Sequence, residues 1–231
     1  LFEMFSGSHL AALTVTVAVL AAIAAGRTKL REEKTGRAMR VGLAVLLLAC
    51  EVSFQLSYVL EDNWSAGSLP FQLCSLMVLL SAAMLLSNAK RLYPVVVFLG
   101  VAGALQALIT PNLDAPFPEF RYFHFFAAHI GIMAAAMYLI AVERYRPTLR
   151  ATFGALLWLH VLAIPAAITN IATGTTNFMF LARKPGTASL LDALAPWPWY
   201  LLQLELIAAA MCLMMYGIIH FVHWTLRGKT R

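Results

Sequence analysis

The stretch RYFHFFAAHIGIMAAAMYLIAV, residues 121–142, sets the architecture of this chain. Apart from Arg121 at its start and two histidines, it is unbroken apolar sequence. Wound as a helix rising about 1.5 Å per residue, it crosses the roughly 30 Å of hydrocarbon in a bilayer. Six further runs of comparable character lie at about 9–25, 41–60, 70–87, 93–109, 152–170 and 198–224. The breaks between them carry charges, prolines or both, as in Glu61–Pro70 and Thr110–Pro118. The 231 residues are 61% hydrophobic and only 12% charged, too apolar for a water-soluble domain. The runs are continuous and do not alternate with period two, which argues against a membrane β-barrel. The expected fold is an all-α membrane protein, a seven-transmembrane-helix bundle forming a single polytopic domain over residues 1–231. The first run is long enough to stay as a membrane helix, and no cleavable signal pattern precedes it.

Basic residues set the expected orientation. Arg27–Arg40 holds six, Lys90 and Arg91 add two, and Arg144, Arg146 and Arg150 add three. Arg227, Lys229 and Arg231 complete fourteen on one side, against Arg121, Arg183 and Lys184 on the other. This asymmetry places the N-terminus outside and the C-terminus in the cytoplasm. It also accounts for the net charge of +6 as topology rather than nucleic-acid binding. The outer connections are instead acidic and aromatic, with Glu61, Asp62, Asp114, Glu119 and Asp192 beside Trp64, Phe117, Trp197, Trp199 and Tyr200. The longest, about 171–197, contains a segment from Gly186-Thr187 to Leu194 that reads as a short capped helix at the interface, and the connection as a whole suits a lid or, equally, a plain tether between helices.

Polar residues inside hydrophobic runs need partners or a function. The candidates are Glu51, Gln55, Gln72, Cys74, Gln106, His129, His160, Asn170, Gln203 and Glu205. On helical rise, His129 lies about 12 Å below Arg121, Glu51 about 13 Å, Glu205 about 10 Å and Cys74 about 6 Å below the outer ends of their spans. Only His160 falls at or below the midplane. The clustering points to a cavity in the outer half of the bundle. Glu51 and Gln55 share a helix face, as do Tyr122, Phe126 and His129. His124 lies about 140° around the helix from His129, by the roughly 100° advance per residue. No zinc-type spacing such as His-Glu-x-x-His or Cys-x-x-Cys occurs, so no metal site is expected.

Cys50, Cys74 and Cys212 all fall in spans, which leaves no disulfide framework. Cys50 and Cys212 read as packing residues. Cys74 follows Pro70 closely, so its thiol sits in the first turn of a helix, where unpaired N–H groups and the positive dipole end favour a thiolate. A histidine at similar depth can take its proton, and Glu51 or Glu205 can orient that histidine.

Several segments carry a family resemblance: Phe5-Ser6-Gly7-Ser8-His9-Leu10, Leu69-Pro70-Phe71-Gln72-Leu73-Cys74, and Gly103 through Gln106 to Thr110-Pro111-Asn112. Phe117-Pro118-Glu119-Phe120-Arg121-Tyr122-Phe123 precedes His129, and Pro185 through Asp192 leads into Pro196-Trp197-Pro198-Trp199-Tyr200. Together they make the chain resemble the YwaF-like family of bacterial integral membrane proteins, related to the eukaryotic transmembrane protein 164 family. The resemblance implies a multi-pass protein of the bacterial cytoplasmic membrane. It further implies a cysteine-dependent phospholipid acyltransferase with Cys74 as nucleophile and His129 as its partner. Gln72 is a departure, because related bacterial chains are expected to carry His there.

The expected activity is a lipid acyltransferase or thioesterase with catalytic Cys74 and His129. Glu51, Gln55, Gln72, Gln106, Asn112 and Glu205 orient the pair or meet the oxyanion, and Arg121, Arg183 and Lys184 bind the headgroup. The partner is a membrane phospholipid or lysophospholipid, and no cofactor is called for. The rival reading is a non-enzymatic seven-helix receptor or transporter that binds a small polar ligand in the same cavity.

Overall fold

In a computed structural model, the described part of the chain, residues 2–186 and 190–228, contains seven long helices and no strand. They are α1 (Gly7–Ala25), α2 (Glu33–Leu60), α3 (Leu73–Ser87), α4 (Lys90–Ile109), α5 (Phe120–Ala141), α6 (Leu149–Thr173) and α7 (Trp199–Gly228). Six are long and apolar enough to cross a membrane, and α3, at 15 residues, is the shorter exception. Each of the seven expected spans coincides with one helix. The largest difference is at α2, which begins at Glu33 and so carries Lys34, Arg37 and Arg40 on helical turns below the apolar run.

Local chemistry fixes the helix ends. The Ser6 hydroxyl caps α1 by accepting from the His9 N–H at 3.5 Å, and Thr148 caps α6 by accepting from the Ala151 N–H at 3.1 Å. Gly174 closes α6 in the left-handed conformation at φ 65°, and Asn88 closes α3 at φ 52°. Arg31 donates to the carbonyls of Ala141 and Val142 at 2.7 and 3.1 Å, which satisfies the last turn of α5.

Helix α5 is the hub. It packs on α1, α2, α3 and α4, while α7 touches α6 and α4. The side of α5 turned inward includes the small residues Ala128, Gly131, Ala134, Ala135 and Ala136, all of them buried. Small residues let helix backbones approach closely where apolar burial gives no net drive. At Gly131 the approach is tight: an added Cβ would lie 2.8 Å from Leu47 Cδ2 on α2. One turn of α4, Val96–Gly100, is widened into a π-helix and is fully enclosed between α3 and α5. His9 ties α1 into the bundle: its Nδ1 accepts from the Phe5 N–H at 2.9 Å and its Nε2 donates to the Leu108 carbonyl at 2.8 Å.

The connection between α6 and α7 folds into the bundle as a cap. Asn170 accepts from the Phe178 N–H at 2.8 Å and donates to the Phe178 carbonyl at 3.0 Å. The Asn177 side chain bonds the backbone of Ala182 and Arg183, and Gln203 accepts from the Ala195 N–H at 2.7 Å. The Tyr200 hydroxyl, on a fully buried side chain, donates to the Phe180 carbonyl. These ties make the expected lid an ordered plug. Of the interfacial helix expected within it, a single 3₁₀ turn, Leu190–Ala193, is present. The expected capping residues Thr187 to Ser189 lie outside the described residues.

A cleft beneath the cap and the Cys74 and His129 positions

Helix α3 is too short to cross the hydrocarbon: its 15 residues span about 22 Å against roughly 30 Å. A helix of that length stops short of one boundary of the hydrocarbon. Pro70 does not begin the helix; the chain stays extended through Gln72, the N-cap, and Cys74 is the second helical residue. Above it, residues 61–72 form an irregular connection. Non-helical backbone at that depth survives only where protein covers it or a polar cavity receives it.

Both conditions are met. Phe71 packs edge-on against buried Phe178 of the cap at 5.7 Å between ring centres, and a cleft of about 510 Å³ lies between the connection and the cap. Its polar walls include Gln72, Asn112, Asp114, Asn177, Arg183 and Lys184. The size is typical of small-molecule sites. Gln72 Oε1 accepts from the Met179 N–H at 3.0 Å, which leaves its amide NH₂ end for the cleft. Met179 itself sits in the left-handed region at φ 54°, a conformation a bulky residue rarely takes. Arg183 spends one guanidinium N–H on the Thr175 carbonyl at 2.7 Å, and the Lys184 ammonium donates to the Leu194 carbonyl at 2.7 Å above the Tyr200 ring. Arg121 does not line the cleft. It pairs with Glu61 at 3.3 Å and lies over the Tyr58 and Phe54 rings at 4.9 and 5.8 Å.

His129 is buried in α5. Its Nδ1 lies 2.6 Å from the Phe125 carbonyl oxygen. That oxygen can only accept, so Nδ1 carries the hydrogen and the lone pair of the neutral ring sits on Nε2. Nε2 is buried with no hydrogen-bond partner; among the described residues only the Ser81 and Tyr145 hydroxyls share that state. Of the three, His129 alone offers a base. Counted from the helix ends remote from the cap, His129 lies about 18 Å along α5 and Cys74 about 20 Å along α3. The two helices are in contact. The shortness of α3 brings its first turn down to the level of His129, a depth match that the sequence, counting from the cap ends, places several ångströms apart.

The carboxylates are disposed otherwise than expected. Glu51, buried on α2, accepts from Gln55 at 3.1 Å, and Gln55 also donates to the Ser68 carbonyl at 2.8 Å. Glu205 pairs with His160 at 3.5 Å. A backbone carbonyl, not either carboxylate, therefore orients His129. The Glu205–His160 contact also revises the depths. It sets Glu205, near the start of α7, level with the middle of α6, so α7 begins about 10 Å nearer the bundle centre than α6 ends. The sequence places them in different halves because the descent of the cap is invisible in a count of residues. Gln106 lies exposed on α4. His124 stacks on Phe54 at 4.3 Å with the rings 6° from parallel, away from any ligand set. No cluster of His, Cys, Asp or Glu suited to a metal occurs among the described residues.

Sequence reasoning overlooks Asp114 and Asn177 in the cleft wall and Asn170 as the anchor of the cap. A signal exists for the last: a polar residue four positions before Gly174 marks a helix end whose following loop must be bonded.

The chain matches the model of the TMEM164 family over residues 4–216, nearly its whole length. It belongs to the TMEM164 family. No curated protein and no solved structure gives a match. The chain is thus a helical, multi-pass membrane protein of that family, with the cleft and the Cys74 and His129 positions inside the matched region.

Proposed function

We propose that this TMEM164-family protein is a lipid acyltransferase or thioesterase working from the outer half of the membrane through a Cys74 nucleophile and a His129 base. Within the family it takes the place of a YwaF-like bacterial member in the cytoplasmic membrane, with its N-terminus outside and the cap on the outer face. The observation that carries the reading is the state of His129. A buried imidazole with Nδ1 held by the Phe125 carbonyl and Nε2 left without a partner is a base waiting for a proton. The depth of Cys74, in the first turn of the short α3, supports it as the donor.

In the first half-reaction His129 Nε2 takes the proton from Cys74 Sγ. The thiolate attacks the carbonyl carbon of a phospholipid ester, and the tetrahedral oxyanion is met by the unpaired N–H groups of the α3 first turn and the Gln72 amide. The carbon–oxygen bond breaks, His129 returns its proton to the departing lysolipid oxygen, and the acyl chain remains on Cys74 as a thioester. In the second, His129 deprotonates a lysolipid hydroxyl or water, which attacks the thioester and regenerates the thiol. Arg183 and Lys184 hold the headgroup phosphate in the cleft, and Arg121, stacked on Tyr58 beside Glu61, anchors the rim. Glu51, Gln55 and Asn112 act on the surroundings of the pair rather than on the reacting atoms, and Gln106 and Glu205 take no part.

A lipid-like, thiol-reactive acyl probe tests this on the purified protein. Labelling is expected in the wild type, lost in Cys74→Ala, and slowed about 100-fold or more in His129→Ala, the size of a general-base contribution. Unchanged labelling of Cys74→Ala removes the nucleophile and leaves the receptor or transporter reading. Labelling that needs Cys74 but not His129 removes the base.

A further inference from the structure

Away from the cleft, the structure carries a second polar feature that the proposed chemistry does not use. His160 and Glu205 meet at 3.5 Å on the outer surface of the α6–α7 pair, with side chains 61% and 38% exposed. His160 lies mid-way along α6, in the centre of a stripe formed by Phe153, Leu157, Ile164, Ile168 and Ile171, each of them exposed. Lipid chains cover such an apolar stripe as well as protein does, so the stripe alone demands nothing. An imidazole and a carboxylate are different. Facing hydrocarbon at mid-membrane, an acidic side chain costs at least about 2.5–3.5 kcal/mol on insertion scales. Polar groups at that depth are found facing protein or water.

We infer that a second copy of this chain packs on the α6–α7 face and covers the His160–Glu205 pair. The patch is its own complement. It presents one base and one acid side by side, so a copy related by a two-fold axis along the membrane normal sets each imidazole against the partner's carboxylate, in the same membrane orientation. The spacing of the stripe, in steps of four and three along α6, supplies interlocking side chains on either side of a single polar position. A polar residue so placed fixes register, because a slide of one turn leaves both pairs uncovered. The dimer leaves the cap end, and with it the cleft, open. The inference does not rest on the catalytic reading.

The test uses the whole chain in lipid vesicles over a range of protein densities, with association followed by energy transfer between labelled copies. A monomer–dimer equilibrium is expected, weakened about 3- to 30-fold by His160→Leu combined with Glu205→Leu, the span measured for interhelical polar contacts in membranes. In a Cys74→Ala background, Ile164→Cys is expected to cross-link into a covalent dimer on mild oxidation, far faster than Val17→Cys on the exposed face of α1. Monomers at every density overturn the inference, as does association untouched by the double substitution. Cross-linking of Ile164→Cys no faster than Val17→Cys overturns it as well, and decides alone if the double variant does not fold.

Discussion

Replacing Gly131 by alanine probes the contact on which the bundle centre depends. The added methyl would stand 2.8 Å from Leu47 Cδ2 and 3.4 Å from its Cγ, against a carbon–carbon contact of about 3.5–4.0 Å. Leu47 is completely buried, so its end group has no open space to turn into. Either Leu47 leaves its rotamer or α2 moves off α5. Overpacking of this kind costs about 1–3 kcal/mol, while exchanging glycine for alanine in a helix returns about 1 kcal/mol. The net expectation is a loss of up to about 2 kcal/mol, smaller if α2 yields as a body. Leu47→Ala alone opens a cavity costing about 2–5 kcal/mol. Combined, the alanine at 131 fills part of that space, so the double variant is expected to be more stable than the sum of the two losses by about 1–3 kcal/mol. Reversible unfolding of the purified protein in mixed micelles, titrated with a denaturing detergent, measures all four corners of the cycle. Acyl-probe labelling of the same samples reports the site, because Glu51 is one turn along α2 from Leu47 and His129 lies two residues from Gly131. A neutral or stabilising Gly131→Ala, with additive behaviour in the cycle, means that the α2–α5 approach is not the constraint described.

The cap and the opposite end of the bundle give two further tests. Asn170→Ala deprives the buried Phe178 N–H and carbonyl of their partner, at about 1–3 kcal/mol for each group left unsatisfied; proteolytic cutting within residues 181–186 is expected to accelerate about tenfold or more while the helices stay protected. Cutting at the wild-type rate would mean that other ties hold the cap. At the other end, the Tyr145 hydroxyl is buried without a partner in the α5–α6 connection, and burial pushes its phenol up to about 12. Tyr145→Phe is expected to raise stability by about 1 kcal/mol, since it removes an unsatisfied group and keeps the edge-on ring contact with Tyr93. Because the folded state holds that proton more tightly than the unfolded one, the wild type also loses stability as pH climbs from about 10 to about 12, and the variant should lose less of it. A destabilised Tyr145→Phe would show that the hydroxyl has a partner in the folded protein.

The helices were legible because one physical requirement, enough apolar length to cross hydrocarbon, writes itself directly into sequence. All seven appear where the apolar runs lie, and the ends differ by a few residues where charged turns extend a helix into water, as at Glu33–Arg40 of α2. Contacts between helices are written far less directly. Nothing in the run around Glu205 announces that its partner is His160, forty-five residues earlier, because the descent of the cap that aligns them is made of side-chain-to-backbone ties such as Asn170 to Phe178. The two histidines that look equivalent in RYFHFFAAHI part company for the same reason: His124 meets Phe54 on α2, and His129 turns inward to its own helix carbonyl. Pro70 was a fair sign of a helix start, yet the first turn forms three residues later, where Gln72 is extended and can reach Met179.

That delay has a chemical consequence. A helix that began at Pro70 and ran the full thickness of the bilayer would lift Cys74 towards the rim, where water competes for every hydrogen bond. Starting at Leu73 and ending at Ser87, α3 instead exposes its unpaired N–H groups about 20 Å from its far end, inside a medium of low dielectric where those dipoles act strongly. The backbone above it, freed from the helix, must then be satisfied by other means, and the cap supplies them through Gln72 and Phe71. The short helix, the irregular connection and the inward-folded cap are thus one arrangement: each is costly in a membrane without the other two. A cleft walled by Gln72, Asn112, Asp114, Asn177, Arg183 and Lys184 follows from their combination.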